Sequence, residues 1–480
     1  MKKTVVIVGG GITGVYLCYR LMTTHKVILV EKRHNLGGRI HTVFDSKDNV
    51  LYEGGPWRIN TNHRRVLKLL RHLQMPIKPL SSNLPAAVRA FSVRKTNKNI
   101  QPLHRLKYTG LSVYDQNIYH KDLTYATDLD QKTGYSGIHD AFCRTHPYKE
   151  AGSFLVVPDG LSTMIARLIQ LIKSSPHGRN VVMWTETMVK DIRRTQHKYI
   201  ISLDDTTKKQ VECDKLIVTS PPHTWSSWSI YKHLQPIAES VKTLSLHHIY
   251  AKTQHPITVR NHRHFHIKTP SSLAQVISSA YDNKWFQISY TSGRLADFWY
   301  RLLLVSRDKW IQKLKYELQH VIPDSHPVRF TDFRSHYFLH AIHMWKAIFG
   351  SDMSQMVQKS IEPHPINLPF TYVAGESFSS HQGWIEGSLE TAELVLQAMC
   401  YDPKRPRMKK PKYDYVVYDN RVVRVDAWKH RHPGSRHLIE KYLFQDITRL
   451  WNRIHNTEST NIINSLQTGW YKNHTYYDLF

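Results

Sequence analysis

Cysteine is almost missing from this chain: Cys18, Cys143, Cys213 and Cys400 are its only four in 480 residues, and no C-x-x-C joins any two of them. That scarcity excludes a disulfide framework and a thiolate-based structural zinc site, and it fits a reducing, intracellular setting. Long apolar runs are missing too. No stretch of about 18 apolar residues occurs, so no membrane-spanning helix is expected. Lys2-Lys3 precede apolar residues, but three glycines break the run before any clean cleavage site. No signal peptide is therefore expected, and the location reads as cytoplasmic. Acids are few, 38 against 66 lysines and arginines, giving a net charge of +28. The excess is diffuse and no nucleic-acid-reading motif accompanies it, so it speaks for solubility and general attraction to polyanions, with no specific nucleic acid expected.

The length suggests about three domains, and 41% hydrophobic with 22% charged residues suits a globular protein with a real core. Its N-terminus runs Val5-Val6-Ile7-Val8-Gly9-Gly10-Gly11-Ile12-Thr13-Gly14. Lys3–Val8 reads as a buried parallel strand entering a G-x-G-x-x-G turn. Gly9 allows the tight turn, Gly11 lets backbone approach a pyrophosphate, and Gly14 permits close helix–strand packing. A helix from about Ile12 to Leu21 offers its N-terminal amides to phosphates. A second strand, Val27–Val30, ends at Glu31, 20 residues past Gly11, where a carboxylate accepts hydrogen bonds from a ribose. Strand, turn, helix, strand and acid in that order define a dinucleotide site.

Which dinucleotide follows from a resemblance. Glu31-Lys32-Arg33 with Leu36-Gly37-Gly38-Arg39 resembles the E-x-R-x-x-x-G-G-R run of the flavin-dependent amine oxidases, which include monoamine and polyamine oxidases. The resemblance implies FAD, with Arg33 and Arg39 by the pyrophosphate and flavin and Gly38 in the turn between them. Glu53-Gly54-Gly55-Pro56-Trp57 resembles the next family segment, whose backbone (Gly55, Pro56, Trp57) lines the flavin. Val157–Ser162 looks like the approach to the next helix, and Val189 heads the V-x-x-I strand whose backbone meets adenine. Phe370–Glu376 with Gly383–Ser388 resembles the C-terminal flavin signature. There a strand delivers Gly375-Glu376 to the ribityl and phosphate region. A helix starting near Ile385 aims its amides at the flavin's pyrimidine edge, where charge develops on reduction.

The resemblance implies oxidation of an amine-type small molecule, which demands geometry rather than a catalytic triad. Trp384 occupies the place of an aromatic that flanks the flavin, or else is a core tryptophan over the flavin helix. The lysine that many members hold near the flavin N5 has no clear counterpart. In Leu244–Lys252, His247 or His248 stands in its place, or Lys252 serves with a shifted register. Fast reaction with oxygen is the property this puts in doubt. His262, His264 and His266 alternate on one strand face, which reads as chance clustering in a chain of 31 histidines.

Residues 401–412, Tyr-Asp-Pro-Lys-Arg-Pro-Arg-Met-Lys-Lys-Pro-Lys, read as an exposed basic linker. The segment beyond it, with His432-Pro433-Gly434, Asp446-Ile447-Thr448 and His455, resembles a short cytochrome b5-like module. The resemblance implies haem b held by His432 and His455, 23 residues apart, with no open iron position. Ser435 replaces the usual second glycine, and the module is short, so it would depend on its cofactor for stability.

The expected class is α/β: a Rossmann-type FAD-binding domain interleaved with an α+β substrate domain, plus a small α+β cytochrome b5-like module. FAD segments are expected near 1–75, 150–225 and 365–400, substrate segments near 76–149 and 226–364, the module over 413–460, and a tail over 461–480. The function implied is FAD-dependent amine oxidation, with electrons passing to haem or an electron-transfer partner. Two alternatives stay open: a plain oxygen-using oxidase whose module serves for docking, and a degenerate flavoprotein with a structural or packaging role. The fused, histidine- and lysine-rich chain is similar to amine-oxidase homologues of large DNA viruses; a viral source would imply association with the virion.

Overall fold

In a computed structural model of the chain, the structure describes residues 2–80, 154–204, 210–258, 264–268, 271–322, 328–345 and 353–400. Beyond these it describes 414–418, 421–426, 428–433, 436–441, 443, 447–448, 451–452 and 455–470. Most of the expected insertion over 76–149, the linker 401–412, His262, Gly434-Ser435 and Asp446 lie outside the described residues. The chain divides into two compact units, residues 1–396 and 397–480.

In chain order the first unit begins with β1 (Thr4–Val8), α1 (Ile12–Leu21), β2 (Lys26–Val30), β3 (Thr42–Phe44), β4 (Val50–Glu53), β5 (Ile59–Asn60), α2 (Arg64–His72) and β6 (Lys78–Pro79). It continues through β7 (Phe154–Val156), α3 (Ser162–Ser174), β8 (Val181–Trp184), β9 (Met188–Arg194), β10 (Tyr199–Asp204), β11 (Gln210–Cys213), β12 (Lys215–Val218) and α4 (Tyr231–Ala238). Next come β13 (Val241–Thr253), β14 (His266–Lys268), β15 (Gln275–Ser278), β16 (Trp285–Ser292), α5 (Gly293–Val305), α6 (Arg307–Val321) and β17 (Phe330–Trp345). The unit closes with α7 (Met353–Ile361), β18 (Thr371–Val373) and α8 (Ile385–Cys400).

The valine- and isoleucine-rich strands form a parallel sheet ordered β18-β12-β1-β2-β8. Val8 pairs with both Val30 and Val218, and Val218 with Val373. Gly9, Glu31, Thr219 and Ala374 therefore stand in one row just past the strand ends, the crevice where open α/β sheets bind ligands. The strand order requires residues from both ends of the unit, since β18 lies at one edge and β1 and β2 inside.

A second, antiparallel sheet is ordered β14-β15-β16-β13-β17. Strand alternation divides its long members between two environments. Ile249 and Ala251 face a core with Trp299, Trp310 and Phe333. His248, paired with His336 and Tyr290, faces the other way. Where Leu244 and Leu246 pair with Ile342 and Phe338, β17 carries extra residues, and such a bulge bends the strand.

One boundary differs from the sequence reading. Lys78-Pro79 pair with β7, beside β5, so this stretch joins the flavin-side elements rather than a substrate insertion.

The second unit contains β19 (Tyr415–Tyr418), β20 (Arg421–Arg424), α9 (Arg436–Lys441), α10 (Thr457–Ser465) and β21 (Gln467–Trp470). Its core gathers Val416, Tyr418, Val423, Val425, Ile439, Ile447, Trp451 and Ile463. β21 pairs antiparallel with β20, so residues up to Trp470 complete the module instead of forming a tail from 461.

Candidate functional site

Glycines show which part of the dinucleotide turn serves packing and which serves a ligand. Gly9 has φ +115°, and a Cβ there would lie 2.7 Å from Thr219 Oγ1; one on Gly14 would lie 2.1 Å from the Gly9 carbonyl oxygen. Gly11 differs. Its φ is an ordinary −67°, and a Cβ would meet nothing within 4 Å. The protein does not need glycine there, but a pyrophosphate approaching the open N-terminus of α1 does. Gly38, at φ +66°, lays the G-G-R turn against Gly11, its would-be Cβ 3.2 Å from Gly11 Cα.

Glu31 caps the crevice, half-buried, accepting the Gly10 N–H at 2.7 Å and the Arg33 N–H at 2.9 Å. A carboxylate offers about four acceptor positions, so it retains capacity for a ribose. The Arg33 side chain is exposed at the rim. Thr187 N–H donates to the Glu31 carbonyl and Glu186 N–H to that of Arg33, which brings the half-buried Val189 alongside.

The second cradle is built on Glu376. Its carboxylate is 3% exposed, accepting from Arg39 (2.7 Å) and the Gly383 N–H (2.7 Å) and pairing with His343 Nδ1 (2.6 Å). Burial alone would raise its pKa; Arg39, His343 and the Gly383 amide outweigh that and hold it at about 2. Arg39 also donates to the Ala341 carbonyl. Arg39, which the resemblance sets by the pyrophosphate and flavin, thus lies against Glu376 and the end of β17 through one guanidinium nitrogen. Gly375, at φ +134°, makes the turn out of β18, and α8 starts at Ile385 as expected. Glu386 reaches across to accept the Arg65 and Val66 N–H groups at the start of α2.

Over the E-G-G segment lies the His248 face of the antiparallel sheet. A Cβ on Gly54 would sit 2.8 Å from His336 Nδ1, and one on Gly55 1.9 Å from the Arg39 carbonyl oxygen. His336 Nε2 meets the Tyr52 hydroxyl at 3.3 Å, and Tyr52 stacks on Tyr250 at 4.0 Å. His248 is 1% exposed, 4.8 Å from Tyr290, and neither ring nitrogen has a hydrogen-bond partner among the described residues. Burial, then His336, His247 and Arg58, hold it neutral well below the usual histidine range. Burial, then His41 and Arg334, lower His336 to about 4.

His247 points to the opposite face, on Ser335. Lys252 sits four residues past His248, about 13 Å along the strand, with its amine over Trp285. Pro56 and Trp57 are half-buried, and Arg58 lies over the Trp57 and Phe154 rings at 5.2 and 4.5 Å. Phe154 in turn stacks near Trp384, which meets His63 edge-on at 4.8 Å. Trp384 thus joins an aromatic wall beside Arg58. Sequence reasoning missed Arg58, His336 and His343; Arg58 directly follows the recognised Gly-Gly-Pro-Trp, and that adjacency was the available signal.

In the second unit, His432 and His455 come together, ring centroids 6.1 Å apart. Trp451 stacks on His455 at 3.9 Å and Trp428 meets His432 at 4.7 Å. Among the described residues no group of three or more His, Cys, Asp or Glu is arranged to hold a metal ion.

A parallel sheet with a glycine cradle, an acid at the second strand and an antiparallel sheet laid over the E-G-G turn defines a two-domain dinucleotide-binding protein. Family models agree: a NAD(P)-binding Rossmann-like domain matches residues 7–73, and flavin containing amine oxidoreductase matches residues 138–400. The second covers more than half of the chain, which belongs to that family. The chain is similar to an uncharacterized protein of Acanthamoeba polyphaga mimivirus, 27% identical over 140 residues, 26% of this chain and 27% of that one. It is also similar to an L-amino acid oxidase of Cerastes cerastes, 35% identical over 80 residues, 16% of each. It thus spans under a third of the length of these curated relatives. Its fold is similar to that of a protein of Exiguobacterium sp. 255-15 assigned as a protoporphyrinogen oxidase, with TM-score 0.58, 14% identity, and coverage of 83% of this chain and 99% of that one. Both family models end by residue 400.

The glycine contrast is testable. Gly14→Ala should destabilise the apoprotein by about 1–3 kcal/mol through overpacking. Gly11→Trp should leave its denaturation midpoint nearly unchanged and yield colourless protein; full flavin absorbance in that variant would refute the placement.

Glu53 supplies a pH test. It is 1% exposed, accepting the Leu161 N–H and the Thr42 hydroxyl, and burial pushes its pKa up to about 7. Because the folded value lies above the unfolded one, its stabilising effect is complete below about pH 4 and is lost as pH rises through 7. Glu53→Gln should remove this slope. Relative to the variant, urea midpoints of the natural protein should fall by the equivalent of about 3 kcal/mol between pH 4 and 8.

Proposed function

We propose that this chain is an FAD-dependent oxidoreductase acting on a carboxylate-bearing amine, an amino acid rather than a polyamine. The observation that carries the reading is the sheet face over the E-G-G turn, where histidines kept neutral lie near Arg58. Burial is the main force that depresses His248 and His336, with neighbouring histidines, Arg58 and Arg334 adding to it, so this face disfavours a polycationic substrate while Arg58 offers a carboxylate a partner. Desolvation there also lowers the pKa of a bound ammonium, helping deliver the neutral amine that oxidation requires. Arg58 holds the carboxylate by a charge-assisted fork. Trp384 and Phe154 wall the substrate, while His248 and His336 line its floor. Gly9, Gly11, Gly14 and Glu31 hold the adenosine diphosphate half of the cofactor, and Gly375, Glu376 and the amides at Ile385 the flavin half. FAD, when bound, supplies a two-electron acceptor for the substrate carbon. The similarity to an L-amino acid oxidase supports the substrate class.

Arg58→Met should lower kcat/KM for carboxylate-bearing amines roughly 30-fold, the worth of about 2 kcal/mol of charge-assisted hydrogen bonding, and leave neutral amines nearly unaffected. Trp384→Ala should slow anaerobic flavin bleaching at unchanged FAD content. If no amine of either class bleaches the flavin, the reading fails in favour of a structural or packaging flavoprotein.

The C-terminal unit, we infer, holds haem b between His432 and His455. Two imidazoles sharing one metal ion need bonds of about 2 Å each plus half a ring on either side, roughly 6 Å between centroids, and these rings stand 6.1 Å apart. Trp428 and Trp451 brace them. Purified protein should show a sharp Soret band that shifts on reduction without a carbon monoxide complex. Alanine at either histidine should open the iron or lose the haem. Haem-free protein from haem-supplied expression would refute it.

A further inference from the structure

Helix α5 has an unusual solvent face. Its exposed positions are Arg294, Phe298, Arg301, Leu304 and Val305: two cations, three apolar residues, no acid and no neutral polar group. Phe298 is 42% exposed, Leu304 68% and Val305 77%. Arg294, Phe298, Arg301 and Val305 recur at i, i+4, i+7 and i+11, so they form one stripe, with Leu304 beside its end. The opposite side is ordinary, since Leu295, Ala296 and Trp299 are buried. A surface helix of this protein normally reads otherwise: α2 exposes Arg64, Lys68, Arg71 and His72. At the corner beyond Val305, Ser306 caps α6, whose first turn exposes Arg307, Asp308 and Lys309. Three cations, Arg301, Arg307 and Lys309, therefore lie around the apolar tip against one acid.

We propose that this face docks the protein on a bilayer surface rich in anionic phospholipid. Guanidinium forks match lipid phosphates, while Phe298, Leu304 and Val305 reach the headgroup–acyl boundary in the manner of an interfacial helix. Charge complementarity selects this occupant. A contact between two copies would bring together two chains of net charge +28 and the exposed arginines of this face. Among the described residues no helix is long and apolar enough to cross a membrane, so the association is peripheral.

The test uses the full chain, sedimented with vesicles of phosphatidylcholine alone or mixed with phosphatidylserine. Binding should need phosphatidylserine. Arg301→Ala should weaken it roughly fivefold, the fold-change of about 1 kcal/mol per basic residue at an anionic surface. The pair Leu304→Asp and Val305→Asp should weaken it about tenfold or more. Ile366→Asp, at a residue 83% exposed outside this helix, should change nothing. Circular dichroism should show each variant folded. Absence of binding by the natural chain would overturn the proposal. So would equal binding by the double variant, which would assign the attraction to diffuse charge. A dimer seen by sedimentation velocity and dissolved by the double variant would instead assign the face to a second copy and overturn the lipid docking.

Discussion

A buried negative charge at Glu376 is the constraint on which this corner of the candidate site depends. An ion removed from water this completely is tolerable only when its partners are all in place, and leaving one unpaired costs about 3–5 kcal/mol. Its partners arrive from the G-G-R turn, the end of β17 and the turn before α8. The carboxylate thereby fixes three segments that share no local sequence. The geometry is set by the protein before any ligand arrives, which is the condition for a dipole-lined site to act without reorganising.

The substrate side follows the opposite electrostatic logic. Its titratable groups are kept neutral by burial and neighbouring cations, and the nearby carboxyl of Glu53 is pushed toward its protonated form. One charge is thus concentrated and fully paired at Glu376, while the face above Gly54 is held nearly free of negative charge. In the proposed function, this face would sort a substrate by the sign of its own groups more than by its shape.

Much of the cofactor site was legible in the sequence because its signals are local. Gly9, Gly11 and Gly14 occupy six consecutive positions, Glu31 ends the next strand, and Gly375-Glu376 close a strand that reads as one. His432 and His455, singled out from a turn motif and a spacing, stand with ring centroids 6.1 Å apart. What stayed hidden depends on pairing between distant strands. His336 is placed by its register opposite His248, and no pattern within Phe330–Trp345 announces that register. The contact of Arg39 with Glu376 was equally hidden, because its partner lies 337 residues away. β21 was read as tail because four residues rich in polar and small side chains carry little strand signal before their partner is known.

The tie between Glu386 and the amides of Arg65 and Val66 spans more than 300 residues, and β18 joins its sheet only after β1, β2, β8 and β12 have been made. At about 5–20 residues per second, a ribosome needs on the order of 15–65 seconds to make the chain between those partners. Through that interval the N-terminal strands exist without their last edge or the carboxylate that secures α2. Long-range closure of this kind is slow, so a newly made chain passes through a stage with valine-rich strands uncovered. The protein's yield in a cell is therefore set by what shields those strands during synthesis as much as by the stability of the finished fold.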